Sequence, residues 1–110
     1  MGELTEAKMR KEVLGVIFRK LRGVNLPYRE QGFIWFTCVN YDKQKKPVRD
    51  KIDRMCRKYG GDHEKALFVF LTRENVSIPW IEQNYYVTAR TLYRRRKDFY
   101  ENWSRERDGG

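Results

Sequence analysis

Apolar residues recur along this chain mostly three and four positions apart, the spacing of one helix face. Val13, Leu14, Ile17, Phe18 and Leu21 form the first such stripe and predict a helix over Leu4 to Arg22. Thr5 is its cap and Gly23 its stop, while Arg10, Lys11, Arg19, Lys20 and Arg22 fill the polar side. Val24 to Gly32, with Asn25 and Pro27, reads as a loop. The run Phe33 to Val39 is aromatic and β-branched, so by itself it resembles a strand. No other segment offers it a strand partner, and a lone strand leaves its backbone groups unpaired. A short buried helix is therefore expected there.

After the charged link Tyr41 to Lys46, Pro47 suits the first turn of another helix. Val48, Ile52, Met55, Cys56 and Tyr59 make its stripe, and Gly60-Gly61 ends it. Asp62 is the expected cap of the next helix, in which Ala66, Leu67, Phe70 and Leu71 face inward and Asn75 lies near the end. Ser77 caps a short helix opened by Pro79 and carrying Trp80, Ile81 and Tyr85. Tyr86 and Val87 make a turn. Thr88 caps a last helix that runs to about Trp103, with Leu92, Phe99 and Trp103 on one side, and Arg105 to Gly110 reads as a frayed tail. The expected fold is all-α: a compact bundle of about five or six helices in one domain over residues 1–110, with a helix-turn-helix in 77–103.

The chain has 110 residues, enough for one modest core. Its 40% hydrophobic and 35% charged residues fit neither a membrane protein nor a disordered chain. No apolar run is long enough to span a bilayer, and the charged start MGELTEAKMRKE lacks a signal-peptide core, so a cytoplasmic protein is expected. Charge changes the picture most. Twenty-four Lys and Arg against 15 Asp and Glu give a net charge of +9, and such a field attracts polyanions, nucleic acid first among them.

Five of the cations, Arg90, Arg94, Arg95, Arg96 and Lys97, fall in the last predicted helix. A helix-turn-helix buries apolar residues near and at the end of its first helix, here Ile81 and Tyr85, and another in the turn, here Val87. Its second helix needs a cap, Thr88, and an inward residue one turn later, Leu92. Those positions leave Ala89, Arg90, Thr91, Tyr93, Arg94 and Lys97 facing outward. A helix fits the major groove of DNA, where Arg bonds guanine and Ala or Thr meets the thymine methyl. Ala89, Arg90, Tyr93 and Arg94 are accordingly the expected contacts at or near bases. Thr88, Thr91, Arg95, Arg96 and Lys97 are the expected phosphate contacts. The plainer alternative is a solvated basic face balanced by Asp98, Glu101, Glu106 and Asp108.

The string Val87-Thr88-Ala89-Arg90-Thr91-Leu92-Tyr93-Arg94-Arg95 resembles the turn and recognition helix of sigma-factor region 4 and resolvase-type helix-turn-helix domains. More narrowly, a short basic chain carrying Thr91-Leu92-Tyr93-Arg94-Arg95-Arg96 is similar to small late-transcription activators of Gram-positive phages. The resemblance spans about a quarter of the chain and implies a non-enzymatic, sequence-specific transcription regulator. This chain departs from the pattern at Glu82, where a small residue is usual, and at Tyr86, where Gly is common and where a turn needing a positive φ would strain a tyrosine.

Other chemistry has less to stand on. His63 is the only histidine, and Cys38 and Cys56 are not paired in a CxxC, so neither a zinc site nor a catalytic dyad is expected, and the thiols are expected to be reduced and buried. No cofactor and no phosphate-binding Gly-rich loop is expected. Phe33, Trp35, Phe36 and Tyr41 offer a base-stacking cluster, but without interleaved cations core packing is the preferred reading. Lys43, Lys45, Lys46, Arg49 and Lys51 form a second basic patch, suited to DNA backbone or to solvent. The first helix is expected to cover the core rather than lie on a membrane. Expected partners are double-stranded DNA, RNA polymerase or another protein at the N-terminal helices, and a second copy as a homodimer. A phage DNA-packaging or replication accessory protein and an RNA-binding module are the alternatives.

Overall fold

The computed structural model describes residues 19–107, and within them the chain is helical with no strand. The helices are α1 (Tyr28–Val39), α2 (Lys46–Gly60), α3 (Glu64–Thr72), α4 (Ile78–Tyr85) and α5 (Ala89–Asn102). Single 3₁₀ turns at Tyr41–Lys43, Gly61–His63 and Trp103–Arg105 complete the order. The predicted helix over Leu4 to Arg22 lies outside the described residues as far as 18, and residues 19–22 are not helical.

Two apolar clusters hold the helices together. The larger joins Ile34 and Cys38 of α1, Ile52, Met55 and Cys56 of α2, Leu67 and Leu71 of α3, and Phe99, Tyr100 and Trp103 at the end of the chain. The smaller joins Ala66 of α3 and Ile81 of α4 to Val87 and Leu92. α3 reads EKALFVFLT, apolar on nearly every side, because it is the wall shared by both clusters. Cys38 and Cys56 are free and buried, and burial pushes both thiols well above the usual range, which leaves them inert packing groups.

Several local expectations change. The run Phe33 to Val39 is helical as expected, but its helix starts at Tyr28, inside the predicted loop, because Pro27 sets an extended backbone just ahead of it. Phe33 is 61% and Phe36 36% exposed, so the aromatic cluster does not lie wholly in the core. Buried Ile34, Thr37 and Cys38 repeat at i, i+3 and i+4 and turn the two phenylalanines outward. Asp62 does not cap a helix: the chain makes a 3₁₀ turn there and α3 begins at Glu64. The preceding Gly61 ends α2 at φ 54° and ψ −125°, a conformation open essentially to glycine alone.

A buried glutamine organises the non-helical lead-in. The Gln31 amide Nε2 donates to the Val24 carbonyl at 3.3 Å and the Leu26 carbonyl at 2.9 Å, while its Oε1 accepts from the Leu21 N–H at 2.8 Å. The Asn25 N–H donates to Glu101 Oε2 at 2.8 Å, which fastens the same segment to α5. That bond, helped by Lys97, holds the Glu101 carboxyl below the usual carboxylate range. At the far end Glu106 accepts from Lys58 Nζ at 2.8 Å and from the Tyr59 hydroxyl at 2.9 Å, so the last turn is tied back to α2.

Gln31→Leu keeps the volume and strands three backbone groups. We expect a loss of about 2 kcal/mol, read by urea unfolding, with α2 to α5 still protected from hydrogen exchange. A stability equal to that of the unmodified chain would remove Gln31 from this role.

Candidate nucleic-acid interface

α4 begins at a serine that is already bonded to it. Ser77 Oγ accepts from the Trp80 N–H at 3.2 Å, and Pro79 occupies the first turn, where its missing N–H costs nothing. Only Ile81 is fully buried in this helix, and the half-buried Tyr85 packs one turn later against the same cluster. Trp80 is 46% exposed and rests edge-on against Tyr85, with ring centroids 6.1 Å apart.

The chain then reverses at Tyr86, at φ 51° and ψ 50°. Among the described residues this is the one non-glycine position with positive φ. Holding an L-residue there costs about 1–2 kcal/mol. Burying Ile81, Val87 and Leu92 is worth about 1.5–3 kcal/mol for each side chain, so packing outweighs the strain. The Tyr86 ring itself is 89% exposed.

α5 starts with two caps. Thr88 Oγ1 accepts from the Thr91 N–H at 3.2 Å, as its place ahead of the helix predicts. The second cap comes from across the turn: Glu82 Oε2 accepts from the Ala89 N–H at 2.9 Å. The departure from the small-residue pattern at Glu82 therefore has a structural use, since a carboxylate at a helix N-terminus meets unpaired N–H groups and a favourable dipole. Spacing rules for capping within one helix do not reveal an acceptor seven residues away across a turn.

The expected site residues separate into three groups. Thr88, Arg90, Tyr93 and Arg94 are exposed, with Ala89 and Thr91 half-buried beside them. Arg90, Tyr93 and Arg94 follow i, i+3, i+4 spacing and share one face. Arg90 and Arg94 form no ion pair among the described residues. Lys97 continues that face but is bound to Glu101, 2.9 Å away. Arg95 and Arg96 turn toward the protein instead. The Nε of each is shielded from solvent without a hydrogen-bond partner. The Arg96 guanidinium lies 4.8 Å from the Phe70 ring centroid and 5.1 Å from that of Tyr93. Burial lowers its pKa, though an arginine so placed stays charged at neutral pH. The signal for this was in the spacing: positions 95 and 96 lie three and four residues after buried Leu92.

The second basic patch also divides. Lys43, Lys45 and Lys46 are exposed, Lys46 pairing with Asp50 at 2.8 Å, and Arg49 is half-buried. Lys51 is buried, its ammonium 3.9 Å from the Trp103 ring centroid, so it belongs to the core rather than to a surface patch. No helix among the described residues is long and apolar enough to cross a membrane.

Comparison with protein families, with characterised proteins and with solved structures finds no match to this chain.

Two substitutions test the turn. Tyr86→Gly relieves the left-handed backbone but adds unfolded-state freedom of about 0.5–1 kcal/mol, so a net gain of at most about 1 kcal/mol is expected. The check is a rise in thermal midpoint by circular dichroism; a fall would mean that the turn is not left-handed in solution. Glu82→Ala removes the cross-turn cap and should cost about 1 kcal/mol in urea unfolding, with Glu82→Gln losing less because its amide oxygen still accepts.

Proposed function

We propose that the chain binds duplex DNA through α4, the Tyr86–Thr88 turn and α5, used as a helix-turn-helix with α5 in the major groove. The observation that carries this reading is the Arg90, Tyr93 and Arg94 face: two exposed cations and an exposed tyrosine at helical spacing in the first half of a capped helix. That helix is locked to α4 by the buried Ile81, Val87 and Leu92. Arg90 and Arg94 read base edges with Ala89, and Tyr93 lies between the two arginines. Thr88, Thr91 and Lys97 take the flanking phosphates, and the inward-turned Arg95 and Arg96 do not. The net charge of +9 supplies the long-range attraction. No catalytic step is part of this function. A role in transcription, of the phage late-activator kind, rests on the resemblance of residues 87–95 alone.

The test is binding to a labelled duplex followed by anisotropy at several salt concentrations. Arg90→Ala and Arg94→Ala should each weaken binding about tenfold while circular dichroism stays unchanged. Lys97→Ala removes one cation from the phosphates and should reduce the salt slope by about 0.9. Unchanged affinity in both arginine variants would sink the proposal. Preference for structured RNA over the duplex would move the function to an RNA-binding module.

A further inference from the structure

Between α1, the end of α3 and α5 lies a cavity of about 380 Å³. Among the described residues, Trp35, Phe70 and Tyr100 give it aromatic walls, and three arginines, Arg19, Arg73 and Arg96, line it with one carboxylate, Glu74. Arg19 and Arg73 are exposed, so the cavity is open to solvent at its cationic side.

Arg96 is the informative member. It forms no ion pair or hydrogen bond among the described residues, and its Nε is closed off from water. Its contacts are the Phe70 and Tyr93 rings. Ring faces attract a cation but accept none of its N–H bonds, so the shielded Nε–H keeps an unmet donor and the partly buried guanidinium an unpaired charge. An anion arriving in the cavity meets both needs at once, and a planar arginine fork suits the oxygens of phosphate. A cavity of this volume exceeds what a bare phosphate fills, and its aromatic walls suit an attached ring.

We propose that this cavity is a phosphate-ester site in which Arg96 and Arg73 donate to the phosphate oxygens and the aromatic walls receive the organic part. The site lies off the Arg90, Tyr93 and Arg94 face, and it does not require that face to bind DNA. The ester is either a free nucleotide or a phosphate of a nucleic-acid backbone; the chemistry at the arginines is the same.

The test is side-chain NMR of the full chain with ¹⁵N-labelled arginine, following the Nε–Hε signals during titration with inorganic phosphate, adenosine 5′-monophosphate and a 20-base-pair duplex. Arg96 and Arg73 should shift saturably with adenosine 5′-monophosphate and more weakly with inorganic phosphate. Arg73→Ala, a change at an exposed position, should weaken binding of the nucleotide about tenfold. Saturation by the duplex but not by the nucleotide would support the site and assign its phosphate to nucleic acid. Absence of a saturable shift at Arg96 with all three probes, or an equal shift with sodium chloride, would overturn it. The Arg90 and Arg94 signals report separately on the DNA face, so failure of either reading is seen apart from the other.

Discussion

Leu92, Phe99, Tyr100 and Trp103 give one side of the C-terminal segment to the interior, and the rest of the molecule is arranged around that burial. Leu92 enters the small cluster with Ile81 and Val87, whereas the three aromatic residues enter the large one. Rotating α5 to hide its arginines would expose side chains whose burial is worth about 1.5–3 kcal/mol each. The Lys97–Glu101 pair, an i, i+4 contact on the surface, is worth only about 0.3–0.5 kcal/mol. Apolar packing thus decides which way α5 faces, and the exposure of Arg90, Tyr93 and Arg94 follows from it.

The same burial explains how a strained turn persists. Tyr86 holds a left-handed backbone without being glycine, and Glu82 crosses the turn to cap Ala89. Both are departures from the sequence pattern that this segment resembles, and both act on the connection between α4 and α5. The carboxylate compensates an unpaired N–H at the start of α5 while the buried Val87 fixes the turn from below. The α4–α5 pair is consequently held by packing and by caps at each helix start.

Helical class, the Ser77 and Thr88 caps and the shared burial of Ile81, Val87 and Leu92 were legible because each depends on local chemistry or on 3.6-residue spacing. Residues 19–27 were not, since Gln31 and Glu101 hold them through bonds that span up to 76 positions and leave no periodic trace. The exposed Phe33 and the buried Lys51 show a second limit: residue type suggested the opposite placement, and helix register decided it. Arg96 lies between these cases. Its inward position could be read from Leu92, but a run of arginines invited the reading that all of them face solvent.

Whether the outward face of α5 meets duplex DNA is open to a crosslinking experiment. A benzoylphenylalanine photocrosslinker is placed at Tyr93 and, for comparison, at Phe33 on α1, because both positions are well exposed. Covalent capture of duplex DNA from position 93, with little from position 33, is the expected result. Equal capture at both positions, or none from position 93 at protein concentrations that saturate the duplex, would rule that face out.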